Sequence, residues 1–89
     1  MAVRRRLVVH GRVHGVSFRA SVAAAAHTRG VAGWARNRPD GTVEVVVEGD
    51  DEAVESVIRL CREGPRAASV THVEVTSEEP EGLRTFEIR

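Results

Sequence analysis

An α+β sandwich with the element order β-α-β-β-α-β is predicted by three features of this 89-residue chain. Val-rich segments with strand character stand at its start, middle and end. Two segments between them carry apolar residues at helical spacing, each followed by a glycine. A Pro-Asp-Gly turn separates two neighbouring strand segments. So short a chain accommodates one hydrophobic core, and residues 1–89 are expected to form one domain. That core must be aliphatic, because the aromatic residues are only Phe18, Trp34 and Phe86, whereas there are 16 Val and 11 Ala.

The first strand is expected over residues 3–13, with Leu7, Val8 and Val9 forming a centre buried on both faces. Gly11 and Gly15 then punctuate the chain. Phe18, Val22, Ala25 and Ala26 follow one face of a helix, and the Ala-rich sequence between them favours helix over residues 17–29. Gly30 is its expected end cap. A second strand is expected over 31–38. Pro39-Asp40-Gly41 then turns the chain: Pro presets φ, Asp bonds its neighbour's backbone, and Gly takes positive φ. Residues 42–48 complete the hairpin, with Val43, Val45 and Val47 on one face and Glu44, Val46 and Glu48 on the other.

Asp50 is placed to cap a second helix, and Asp51 and Glu52 suit the positive end of its dipole. Val54, Val57, Ile58 and Cys61 make its apolar stripe, and Gly64-Pro65 ends it. Residues 70–76 read as a strand with Val73 and Val75 on one face. Residues 84–89 read as a last short strand with Phe86 and Ile88 facing inward. Each helix is expected to join parallel neighbouring strands in the right-handed sense. The result is a ferredoxin-like sandwich: a four- to five-stranded antiparallel sheet with both helices on one face.

Charge is balanced overall but not along the chain. Residues 1–39 hold eight Arg and no acid, residues 40–89 hold five Arg and all 13 acids, and Lys is absent. An anion site in the first half is one reading, since Arg is shaped for two-point phosphate contact. The other is that interleaved strands mix the charges in space. No apolar run approaches the roughly 20 residues of a membrane span. The Arg-rich start leads into a strand pattern and not into a cleavable apolar segment, so no signal peptide is expected and the expected compartment is the cytoplasm. A lone Cys61 excludes an internal disulfide and CxxC-type metal or redox sites.

Two segments carry chemistry. Gly11-Arg12-Val13-His14-Gly15-Val16-Ser17-Phe18-Arg19 lies between a strand and a helix. Its glycines permit tight turning, and it ends where unpaired helix N–H groups and the dipole favour an anion. Consecutive loop amides can form a nest for phosphate oxygens, with Arg19 aimed at the same place. The segment is neither a P-loop nor a dinucleotide fingerprint, because it lacks Gly-Lys-Ser/Thr and the required glycine spacing. Taken alone, anion binding and a merely structural turn both stand. The second segment is Gly33-Trp34-Ala35-Arg36-Asn37, followed by Asp40-Gly41-Thr42-Val43. Asn37 at a strand end is either a turn former or a carboxamide that orients a water.

Together these segments resemble the acylphosphatase family, which has a Gly-x-Val-x-Gly-Val-x-Phe/Tyr-Arg loop and a Gly-Trp-x-x-Asn segment followed by Asp-Gly-Thr/Ser-Val. Length and element order agree, so the resemblance covers nearly the whole chain. It implies hydrolysis of the carboxyl–phosphate bond of acyl phosphates. It further implies that Arg19 and the backbone N–H groups of His14, Gly15, Val16, Ser17 and Phe18 hold the phosphate, while Asn37 positions the attacking water. No metal, cofactor or covalent intermediate is implied. The expected partner is a small acyl phosphate, with no nucleic acid or membrane, and the expected state is a monomer. One departure is His14, where the family usually has Gln.

The chemistry suits these residues. An acyl phosphate already has a carboxylate leaving group of low basicity, so the demand is for charge neutralisation and in-line placement of water. Ser17 reads as a helix cap and not a nucleophile, since no acid precedes Asp40 to complete a local triad. His10, His27 and His72 share no metal-ligand spacing and read as surface residues. Cys61 reads as a buried small hydrophobe, and Trp34 as packing. Arg4, Arg5 and Arg6 are either solubilising or an anion-attracting patch. Two other functions compete. One is an RNA-binding ferredoxin-like domain, which needs exposed aromatics and a basic sheet face. The other is a non-catalytic relative of the N-terminal domain of carbamoyl-transfer maturation proteins.

Overall fold

The computed structural model describes residues 2–89. The elements are β1 (Ala2–Arg12), α1 (Phe18–Arg29), β2 (Ala32–Asn37), β3 (Val43–Asp50), α2 (Asp51–Glu63), β4 (Ser69–Glu78) and β5 (Phe86–Ile88). They form one sheet in the order β4-β1-β3-β2-β5. The four strands of the βαββαβ unit pair antiparallel throughout, and β5 adds to β2 in parallel. The expected all-antiparallel sheet therefore becomes mixed at one edge. The chain returns along residues 79–85 to the start of β2 before pairing, which aligns β5 with it. Nor do the helices join neighbouring strands: β3 separates β1 from β2, and β1 separates β3 from β4. The physical reason lies in β3, whose first six residues are all buried and so require pairing on both sides.

Alternation sorts the strands into two faces. Leu7 and Val9 of β1, Ala35 of β2, and Val43, Val45 and Val47 of β3 join Val22 and Ala26 of α1 and Val54, Val57 and Ile58 of α2 in one core. Both helices thus cover the same face, as expected. α1 closes on Gly30 at φ 67°, where the Val31 N–H reaches back 2.8 Å to the Ala26 carbonyl, a left-handed cap with a buried Val behind it. Cys61 is fully buried, and burial pushes its thiol up to about 12. Phe86 is buried as expected, whereas Ile88 is 51% exposed, because β5 ends at the mouth of a cleft and nothing covers its last turn outward. Val75 is also half-open on the edge strand β4. Among the described residues, no helix is long and apolar enough to cross a membrane.

The opposite face is built from charge. Arg4 is nearly fully buried there, with Nη1 2.6 Å from Glu48 Oε2 and Nε 2.8 Å from Glu78 Oε1. Arg6 pairs with Glu44 and, at 2.7 Å, with Glu78, while Arg36 reaches Glu44 at 2.7 Å. Trp34 lies under Arg6, Arg36 and Arg89, the last 4.8 Å from its ring centroid. Bonds to Arg6 and Arg4 hold the Glu78 carboxyl down at about 2. Burial opposes charge on Glu48, yet its carboxyl is still lowered, because it accepts the N–H groups of Glu81, Leu83 and Gly82 as well as Arg4. Glu48 therefore holds the return segment that leads into β5. On this face the basic first half and the acidic second half mix in space.

Candidate active site

The loop between β1 and α1 is pinned at each end by a buried side chain, Val13 and Phe18. Between them, Gly15 has φ 70° and Ser17 has φ 61°, while His14 and Val16 keep negative φ. Alternation of negative and positive φ is the pattern by which successive N–H groups can turn toward one side, as in an anion nest. Ser17 is the one non-glycine with positive φ among the described residues. That conformation costs about 1–2 kcal/mol for an L-residue, so the surroundings enforce it. Ser17 is not the expected side-chain cap: its hydroxyl makes no capping bond, and its carbonyl instead accepts Ser21 N–H at 3.0 Å. Among the described residues, no protein acceptor takes the N–H groups of His14 to Ser17. The first turn of α1 adds donors that the helix itself cannot use. Gly11 enters this loop through a bulge at φ 122°, where a Cβ would lie 2.1 Å from the Ser69 carbonyl oxygen.

Arg19 stands in that first turn. Its Nη1 donates to the Arg89 carbonyl at 2.8 Å, and among the described residues no Asp or Glu pairs with it. No Asp or Glu side chain among the described residues therefore competes with an anion for it. Asn37, the last residue of β2, is half-buried, and its carboxamide has no partner within the described chain. A cleft of about 170 Å³ brings these groups together, lined by Val13, Gly15, Ser17, Arg19, Asn37 and Ile88 among others. A wider hollow of about 680 Å³ is lined by Asp51, Glu52 and Glu55 together with Arg29 and Arg59, so its acids outnumber its bases. The smaller cleft is the one whose chemistry suits phosphate.

His14 does not line the cleft. Its Nε2 donates to the Thr42 carbonyl at 2.8 Å, and the same carbonyl accepts Arg38 N–H at 2.9 Å. The ring thus ties the loop to the hairpin that presents Asn37. That hairpin is locked by Asp40, whose carboxylate accepts the Thr42 hydroxyl at 2.6 Å and its N–H at 3.0 Å, and is lowered by those two bonds. The contacts of Arg19 with Arg89 and of His14 with Thr42 are not visible in the sequence, since each depends on how distant segments pack. The glycine spacing, the helix end that follows it and the place of Asn37 at a strand end were the local signals for the site.

The sheet face that an RNA-binding relative would use does not suit that role. It holds one aromatic, Trp34, and its Arg4, Arg6 and Arg36 are already paired with Glu.

Comparison with known proteins agrees with the geometry. The family model described as Acylphosphatase matches residues 5–88. An acylphosphatase from Thermococcus kodakarensis is 55% identical over 86 residues, covering 97% of this chain and 94% of its own. The crystal structure of acylphosphatase from Bacillus subtilis superposes with a TM-score of 0.94 at 39% identity, covering 100% of this chain and 99% of that one. Full-length HypF, in a phosphate- and nucleotide-bound form, contains a similar unit at TM-score 0.92 and 27% identity, but this chain spans only 12% of it. By its sequence, its fold and its relatives of matching length, the chain belongs to the acylphosphatase family.

Proposed function

We propose that this acylphosphatase binds the phosphoryl group of its substrate in the loop 14–18 and on Arg19, and that Asn37 orients the attacking water. The observation that carries this reading is the run of unused backbone donors beside an Arg with no Asp or Glu side-chain partner among the described residues. Three phosphoryl oxygens need donors that are fixed before the reaction, and main-chain N–H groups held by a strained loop supply them without reorganisation. The Arg19 guanidinium adds full charge and directional bonds. Water attacks phosphorus opposite the acyl oxygen. The P–O bond to that oxygen breaks, its electron pair leaves with the carboxylate, and the water's proton passes to a phosphate oxygen or to solvent. Asn37 can accept from that water through its carbonyl while its amide faces the substrate. The cleft-lining side chains include no carboxylate, imidazole or thiol, so charge neutralisation falls to N–H donors and not to a metal. A monomer acting in the cytoplasm is the state proposed; the monomer is supported by a charged sheet face that satisfies its own partners and by large exposed apolar side chains that, among the described residues, are Val75 and Ile88.

Phosphate release from benzoyl phosphate tests this reading. The expected result is enzyme-dependent hydrolysis unchanged by exhaustive EDTA treatment, with competitive inhibition by inorganic phosphate. Asn37→Ala is expected to lower kcat at least about tenfold with little change in phosphate affinity, since it removes water placement and not charge. Weakened phosphate binding at unchanged kcat would reassign Asn37 to substrate binding. Activity lost to EDTA and restored by one metal would overturn the mechanism.

A further inference from the structure

We propose that the charged face of the sheet carries a transition-metal site built from His10, His72 and Glu74, of the kind that takes Zn²⁺. The sequence spacing of these residues gave no metal signature, but strand register assembles them. His10 of β1 lies directly opposite His72 of β4, and Glu74 follows two residues on along the same face. The two imidazole rings stand 5.1 Å apart between centroids, tilted by 48°. His10 Nε2 and Glu74 Oε2 already meet at 2.6 Å, and one ligand atom from each of the three residues lies within 4.8 Å of the others.

Ligands about 2.0–2.2 Å from a tetrahedral Zn²⁺ stand about 3.3–3.5 Å from one another. Small side-chain rotations reach that spacing while the two strands keep their register. The cation would take the place of the hydrogen bond between His10 and Glu74. The two imidazoles are borderline donors, and it is they that favour Zn²⁺, Ni²⁺ or Cu²⁺ over Mg²⁺ and Ca²⁺; the carboxylate adds a hard anionic oxygen. His10 is 37% exposed and Glu74 55%, so a hydrated ion can enter and keep water in the remaining position. The nearby field is mixed. The Asp40 carboxylate is close enough to feel charge on His10, and Arg6 is neutralised by Glu44 and Glu78, but Arg62 borders the hollow beside His72. Ligation requires unprotonated imidazoles, so occupancy falls in acid. Bound there, the ion would staple the edge strand β4 to β1 one residue before the Gly11 bulge. It is no part of the proposed hydrolytic machinery.

The test is calorimetric titration of tag-free, EDTA-stripped protein with Zn²⁺, alongside thermal unfolding. One equivalent is expected to bind, and Zn²⁺ at a hundredfold excess over Kd should raise Tm by about 10 °C or more, with no shift from Mg²⁺. His72→Ala should weaken binding at least about tenfold and abolish the shift, while circular dichroism and metal-free benzoyl phosphate hydrolysis stay as in the parent. Glu74→Gln should weaken binding less. Absence of binding, or a Zn²⁺ affinity that survives in both His72→Ala and His10→Ala, would overturn the site.

Discussion

Arg19 and Arg4 come from the same acid-free stretch, yet the fold uses them in opposite ways. Arg4 is buried against Glu48 and Glu78 and also reaches Glu81, and its charge is consumed in tying β1 to β3, β4 and the return segment. Arg19 contacts a backbone oxygen of Arg89 and no Asp or Glu side chain among the described residues. The guanidinium paired with carboxylates serves the structure; the one beside unused N–H groups is the one proposed to bind substrate. The uneven charge along the chain thus carries two meanings, and partner identity separates them. The comparison predicts that changes at the two places break different properties.

The largest effect is expected at the cleft. Arg19→Ala should lower kcat/KM at least about 100-fold, roughly 3 kcal/mol of transition-state stabilisation, with Tm nearly unchanged. Arg19→Lys should recover little, because the two-point geometry is lost. Wild-type kcat/KM in Arg19→Ala would remove Arg19 from the mechanism. On the other face the pattern should invert. Glu48→Ala strands three backbone N–H groups and one partner of a buried Arg, and should cost about 3 kcal/mol of stability in urea unfolding. Activity per folded molecule should survive to the extent that β5 still docks.

Acid offers a gentler probe of the same face. The Glu78 carboxyl is held at about 2 by Arg6 and Arg4, below its ordinary value, and Glu44 and Glu48 are also lowered. Carboxylates with depressed folded values contribute stability fully above about pH 5, and that contribution drains away as pH falls toward 2. Tm should therefore be nearly flat above pH 5 and fall below it, and Glu78→Gln should lower Tm at neutral pH and flatten the acid limb. An acid limb of unchanged steepness in Glu78→Gln would show that these pairs do not govern acid unfolding.

The smallest effect sharpens the comparison within the cleft itself. His14 touches the Thr42 carbonyl, and a Gln at this position has an amide that can donate to the same acceptor. His14→Gln should keep kcat/KM within a few-fold at pH 7. His14→Ala should lose more, because the loop and the Asn37 hairpin are no longer tied together. Equal activity in both variants would show that the ring contact contributes nothing to alignment. The resemblance implies a use for the backbone N–H of His14 alone; the contact with Thr42 gives the ring a place beside it.

Local signals were sufficient for most of the fold. Alternating Val placed the strands, Phe18 through Ala26 placed the first helix, Gly30 closed it, and Pro39-Asp40-Gly41 made the hairpin. The glycine-punctuated loop, Arg19 and Asn37 were visible for the same reason: turning geometry and helix-end chemistry are properties of adjacent residues. What failed locally was anything set by strand order or by exposure. Ser17 reads as a cap until its left-handed backbone is seen, and Ile88 reads as core until β5 is found at the rim.

The sequence by itself determined the elements, the apolar face of each helix and the position of the loop proposed to bind phosphate, because propensity and periodicity act over a few residues. Only the tertiary structure decided that β5 runs parallel to β2, that Arg19 reaches a carbonyl 70 residues away, that His14 joins the Thr42 hairpin, and that His10 meets His72. Those outcomes depend on register. A strand shifted by one residue turns every side chain to the opposite face, so the pairing that fixes them emerges only when the whole sheet is assembled around its buried centre.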